Sequence, residues 1–139
     1  MYCTVADMVA RFGEQEIINL TSPGQAIIDE TVLDQAMIDA GSLIDSYLGS
    51  RYKLPLTTVP TVLARTACSV ARYYLYNDQM TESVEKAHKD AIKYLADVSK
   101  GIVQLGVSTT GERANQSESL SQMTSSKPVW DRRRSKGFI

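Results

Sequence analysis

The chain has 139 residues, 43% hydrophobic and 22% charged, with a formal net charge of −1. That length and balance predict one soluble domain, whose body can bury roughly 65% of the surface its unfolded chain exposes. No run approaches the roughly 20 apolar residues of a membrane span, and no positive region followed by an apolar run marks a secretory leader. The two cysteines, Cys3 and Cys68, make no metal or redox spacing. Cys68 lies among small apolar residues and is predicted to be a buried thiol. These features predict a protein made in a reducing cytoplasm.

In chain order, Thr4 and Asp7 form a possible capping box, and Val5, Met8, Val9 and Phe12 follow as a short helix stopped by Gly13. Residues 14–20 add a helical turn or two. Thr21-Ser22-Pro23-Gly24 reads as a loop. A long central helix is predicted from about Thr31 to Leu48, with Thr31 as its cap. Its face is Leu33, Met37, Ala40, Ile44, Tyr47 and Leu48. Gly49 is expected to end it in a left-handed conformation. Pro55 forces Leu54 out of the helical region, and Pro60 reopens a helix near its first turn.

The next helix is predicted from about Pro60 to Tyr76, with a stripe of Leu63, Ala67, Val70, Ala71, Tyr74 and Leu75. The small residues Ala64, Ala67, Cys68 and Ala71 allow a neighbouring helix to approach closely. Asn77-Asp78 breaks the pattern. A last helix spans about Glu82 to Ser99, capped by Thr81, with Val84, Ala87, Ala91, Leu95 and Val98 on one face. Glu82–Lys86 and Glu85–Lys89 are attractive pairs, each worth only tenths of a kcal/mol. Gly101 closes this helix, and residues 102–107 are expected to be a short extended segment.

The fold class that follows is all-α: a small antiparallel bundle of about four helices over residues 1–107, with an extended carboxy-terminal arm over residues 108–139. Charge divides the chain at the same place. Residues 1–107 carry nine Lys/Arg and thirteen Asp/Glu, hence −4; residues 108–139 carry six and three, hence +3, and the two sum to −1. Residues 108–126 are mostly Ser, Thr, Gln, Glu and Gly, with Leu120 and Met123 the only large apolar side chains. Such a segment cannot bury enough surface to offset its ordering entropy, so it is expected to order only by docking on a neighbour. It leads to the chain's only tryptophan, Trp130, and to Arg132, Arg133, Arg134, Lys136 and Phe138. Aromatic anchors beside arginines are the composition of a docking peptide.

Chemistry is sparse. The single histidine, His88, borders the apolar stripe of its helix and reads as a half-buried helix residue. A general base would need a nucleophile and an orienting acid that the sequence does not identify. Asp39 and Asp45 are six apart on one helix and do not share a face. No glycine-rich phosphate loop, Walker lysine or metal-ligand cluster is present. The chain therefore reads as non-enzymatic, with no cofactor and no metal. Arg51, Tyr52 and Lys53 form a basic-aromatic turn with two compatible readings: a structural corner in which Tyr52 and Leu54 cover helix ends, and a subunit contact.

The run Ile44-Asp45-Ser46-Tyr47-Leu48-Gly49-Ser50-Arg51-Tyr52-Lys53-Leu54-Pro55-Leu56 resembles bacteriophage head–tail connector proteins of the Mu-like type, also called head-completion or adaptor proteins. Residues 2–13, Ala71-Arg72-Tyr73-Tyr74-Leu75-Tyr76 and residues 95–105 agree in order, so the resemblance covers roughly residues 1–107. It implies a virion structural protein, made in the host cytoplasm and placed in the neck. There it would form a homo-oligomeric ring of about twelve copies, a dodecamer, beneath the portal protein. Its further partners would be a downstream neck or tail-completion protein, and double-stranded DNA passing through the lumen without sequence-specific binding; no membrane is involved. By the same resemblance, residues 108–139 are the portal- or neighbour-docking arm, with Trp130, Arg132, Arg133, Arg134, Lys136 and Phe138 as anchors. Carboxylates facing the lumen would let DNA slide. The alternative is a DNA-binding or packaging-accessory protein using the arginine-rich end, against which the acidic body argues. A stopper or tail-terminator protein would be expected to have a β-rich core.

Overall fold

The computed structural model describes residues 1–77 and 79–107. These residues form five helices: α1 (Val5–Phe12), α2 (Glu14–Thr21), α3 (Glu30–Leu48), α4 (Thr61–Leu75) and α5 (Glu82–Ser99), and the fold is all-α. Trp130, Arg132, Arg133, Arg134, Lys136 and Phe138 lie outside the described residues, as does the proposed arm as a whole.

The fifth helix relative to expectation is α2. The turn or two predicted after Gly13 is a helix of its own, because Ile17 and Ile18 are both buried. Gly13 ends α1 and begins α2 without a linker. Its N–H donates to the Val9 carbonyl while its own carbonyl accepts from Ile17, at φ +88°, which glycine adopts without a side-chain clash. The predicted capping box of α1 is complete. The Thr4 hydroxyl accepts from the Asp7 N–H, and the Asp7 carboxylate accepts from the Thr4 N–H at 2.9 Å.

Helix α3 starts earlier than predicted, and its cap is Asp29 rather than Thr31. The Asp29 carboxylate accepts from the N–H groups of Thr31 and Val32, at 3.0 and 3.3 Å. The choice is tertiary. Thr21 at the end of α2 accepts from the Asp29 N–H at 3.1 Å, and the Ser22 hydroxyl donates to the Ile27 carbonyl. The loop is thereby held so that Asp29 arrives at the helix end and Thr31 falls inside the first turn.

Helix α3 is the centre of the core and packs on α4, with α5 closing over both. Leu33, Met37, Ala40, Ile44 and Leu48 of α3 meet Leu63, Ala67, Cys68, Val70 and Ala71 of α4, and Ala91, Leu95 and Val98 of α5. Fully burying one of the larger side chains contributes about 1.5–3 kcal/mol. Two predicted stripe members sit at its margin: Tyr47 is half-buried, and Tyr74 is 37% exposed. The segment before α1 straps across α3, with Tyr2 beside Gly41 and its hydroxyl donating to the Asp45 carboxylate. Burial, followed by that carboxylate, pushes the Tyr2 phenol well above its ordinary range.

The turn after α3 departs from the predicted left-handed exit. Gly49 has φ −59° and ψ −19°, right-handed and near-helical. A Cβ there would lie 3.1 Å from the Asp45 carbonyl oxygen, a tight contact that a shift of a few tenths of an ångström relieves. The chain runs on through a further turn, in which the Arg51 and Tyr52 N–H groups both donate to the Leu48 carbonyl. Leu54–Pro55 is a cis peptide bond. Pro60 stands just outside α4 and offers its carbonyl to the N–H groups of Leu63 and Ala64.

Helix α5 begins at the predicted cap, Thr81, and ends in a Schellman motif. Gly101, at φ +78°, donates to the Val98 carbonyl, and Ile102 donates to the Asp97 carbonyl. The segment expected to be extended is therefore tied to the helix end over Ile102 and Val103, after which Leu105 turns into the core.

Candidate interaction surface

The basic-aromatic turn is a structural corner. Tyr52 is only 7% exposed, and its hydroxyl accepts from the Leu105 N–H at 3.4 Å. It also lies beside Tyr94, whose phenol is pushed up by burial and by that neighbour. The Arg51 guanidinium lies against Gly101, so close that a Cβ there would collide with it. The turn thus fastens the end of α3 to the end of α5. Arg51 and Lys53 remain exposed, but Tyr52 is spent inside the subunit. Of the connector-like run Ile44–Leu56, the residues Ile44, Leu48 and Tyr52 are core, and Tyr47, Leu54 and Leu56 pack against it.

The other conspicuous polar groups are internal too. Arg72 on α4 reaches Glu16 on α2 at 2.6 Å, lies over the Phe12 ring at 4.5 Å, and shares Glu16 with the Tyr76 hydroxyl. This constellation holds the α1–α2 pair on the bundle. His88 is half-buried, as predicted, and stacks on Tyr73 with ring centroids 3.7 Å apart. Its buried Nδ1 has no hydrogen-bond partner, and burial holds its pKa below the ordinary value. Cys3 and Cys68 are both buried and free, and both belong to the core cluster. The neighbouring Cys68 thiol and burial push the Cys3 thiol far up. Their separation in sequence hid the pairing. Among the described residues, no group of three or more His, Cys, Asp or Glu is placed to hold a metal ion.

The open surface lies at the other end of α3. Between Arg11 and Arg51 the chain has no lysine or arginine, while α3 and its cap carry Asp29, Glu30, Asp34 and Asp39 around this end, and Asp45 nearer the other. All five are exposed. Among the described residues the ion pairs are Arg72–Glu16 and Lys89–Glu85, so none of these carboxylates meets a cation. Asp39 accepts only from the neutral amide of Gln35, at 2.9 Å. On the side of α3 that carries Asp39 runs a groove of about 430 Å³, walled by Leu20, Val32, Ala36, Asp39, Tyr74 and Leu75. Burial and the nearby Asp39 charge both raise the Tyr74 phenol. Val32 is 41% and Ile38 49% exposed, although both lie on the central helix. The long cation-free stretch is the signal in the sequence that could have located this face; only packing shows that a groove accompanies it.

The model of the family described as "Bacteriophage Mu, Gp36" matches residues 2–124. The chain belongs to that family. It is similar to "Mu-like prophage FluMu protein gp36" of Haemophilus influenzae, 43% identical over 117 residues, which cover 84% of this chain and 82% of that protein. It is also similar to "Gene product J" of Escherichia phage Mu, 39% identical over 142 aligned positions covering 99% of each chain. The chain is thus a Mu-like phage protein, and the likeness runs past Val107 into the basic tail. Among the described residues, no helix is long and apolar enough to cross a membrane.

Proposed function

We propose that the protein is a structural head–tail connector: a ring subunit beneath the portal that extends the DNA channel and offers a surface to the next neck or tail protein. The observation that carries this reading is the full-length likeness to a phage Mu gene product, in a chain whose conspicuous residues are spent on a rigid helical body. A ring interface is heterologous, one patch meeting a different patch on the next copy. Residues 108–139 serve as the docking arm, and a ring that presents every arm at once gains avidity without any new kind of contact. Carboxylates of the acidic body that face the lumen would let DNA slide, since like charge repels the phosphates.

The test is the native mass of the full chain, alone and with the portal protein, together with negative-stain images of the product. Closed rings on the portal are expected, and removal of residues 108–139 is expected to abolish them. Portal binding by the shortened chain would count against the arm assignment. The DNA-binding alternative, favoured by Arg132, Arg133 and Arg134 alone, predicts affinity that falls steeply with salt. A flat response in a gel-shift titration removes it. The helical body already weighs against a β-rich stopper or tail-terminator protein.

A further inference from the structure

The groove beside α3 is lined by the apolar Leu20, Val32, Ala36 and Leu75, by an aromatic wall in Tyr74 and by one carboxylate, Asp39, with no cation among its lining residues. An occupant that matches it needs an aromatic anchor with positive charge close by in sequence. A tryptophan buries on the order of 150–250 Å², and arginine is the cation that pairs best with carboxylates. Arg51-Tyr52-Lys53 has the composition, but its aromatic is buried in the subunit; the segment with a tryptophan anchor is Val129-Trp130-Asp131-Arg132-Arg133-Arg134-Ser135-Lys136-Gly137-Phe138.

We propose that this segment of one subunit docks in the α3 groove of a neighbouring copy, with Trp130 against Val32, Ala36 and Tyr74 and the arginine run reaching Asp39. Chain reach allows it. Val107 borders a hollow with Val59, Pro60 and Thr61, at the start of α4, whereas the groove takes Tyr74 and Leu75 from its end. The 15 residues of α4 make that separation about 22 Å. The roughly 23 residues between Val107 and Trp130 can span up to about 80 Å. That is several times what the subunit's own groove requires and enough to cross to the next one. The choice of a neighbour over the same chain rests on the ring reading above. The docking would give each subunit one donor and one acceptor surface, the condition for a closed head-to-tail ring.

The test places a photo-crosslinking benzoylphenylalanine at Trp130 in the full chain and irradiates a mixture of isotope-labelled and unlabelled copies at high concentration. Mixed-label crosslinks from position 130 to the 32–39 segment or to Tyr74 are the expected result. Crosslinks within one label only would show self-docking and overturn the proposal. So would crosslinks to other surfaces, or capture by added DNA in preference to protein. A second arm uses charge exchange in full chains. Asp39→Lys, and separately Arg132→Glu with Arg133→Glu, should each raise the concentration needed for self-association by at least about tenfold in sedimentation velocity. Mixing the two variants should restore it, and failure of the mixture to recover would refute the pairing. A ring that still forms on the portal while position 130 crosslinks elsewhere sinks the groove assignment and leaves the connector reading standing. Groove crosslinks without any ring do the reverse.

Discussion

The two ends of α3 differ in a way that reverses their appearance in the sequence. The carboxy-terminal end leads into the most conspicuous run of the chain, Arg51-Tyr52-Lys53-Leu54-Pro55-Leu56, and the fold turns that run inward. Tyr52 is sealed against Leu105 and Tyr94. The amino-terminal end is plain in sequence and stays open, with carboxylates that meet no cation among the described residues and a groove beside them. Aromatic and glycine-rich corners stand out because sharp turns tolerate few residue types. A docking face needs only exposed apolar area and charge, which many residue types supply.

The largest expected effect tests the inward reading of the corner. Tyr52→Ala should lower unfolding free energy by about 3–5 kcal/mol, whereas Tyr52→Phe, which leaves the Leu105 N–H without its acceptor, should cost about 1 kcal/mol. Urea unfolding monitored by circular dichroism measures both. An alanine variant that keeps its stability but loses self-association would make the corner an interface and dissolve the contrast.

Next come the two glycines of the same end. Gly101 has φ +78°, so Gly101→Ala should cost about 1–2 kcal/mol for the left-handed backbone, and it must also displace Arg51. Gly49 is right-handed. Gly49→Ala therefore has only the 3.1 Å contact with the Asp45 carbonyl to relieve, and its net effect should stay within about 1 kcal/mol because alanine also lowers unfolded-chain entropy. If Gly49→Ala were the costlier change, α3 would have to end differently.

At the open end, Asp29→Ala should cost about 1 kcal/mol through loss of the cap, while Thr31→Ala should change stability by less than about 0.5 kcal/mol. Equal effects would return the cap to Thr31. The smallest effect concerns the aromatic stack behind the groove wall, where His88 lies on Tyr73 and near Tyr74. Burial holds the His88 pKa below 6.5 in the fold, so the unfolded chain takes up its proton first as pH falls. Its contribution is fully present above pH 6.5 and is lost as pH drops from there through the folded-state pKa. His88→Gln should flatten the thermal-midpoint profile in that interval relative to its own value at pH 8, where only the lost stack on Tyr73 is felt.

Helix α5 was readable from Thr81 to Ser99 because its cap, its stripe and its closing glycine are all local. The same holds for the capping box of α1. Misread positions were those where a distant group intervenes. Thr31 looked like a cap until Thr21 fixed the Asp29 backbone. Residues 102–107 looked extended until Leu105 found Tyr52. Tyr74 looked like core until the groove left it at the edge. Of the candidate site residues, the corner was legible as a corner, while the acidic groove was not seen at all.

By itself, the sequence determined that this chain is a helical body with an acidic surface and a basic, aromatic-bearing tail. Helix periodicity, caps and charge depend only on near neighbours along the chain. Tertiary structure alone decided that Tyr52 faces inward, that Cys3 meets Cys68, and that Leu20, Val32 and Tyr74 converge on one groove. Each of those facts joins residues tens of positions apart, and such contacts are set by how α2, α3, α4 and α5 pack, which no local pattern encodes.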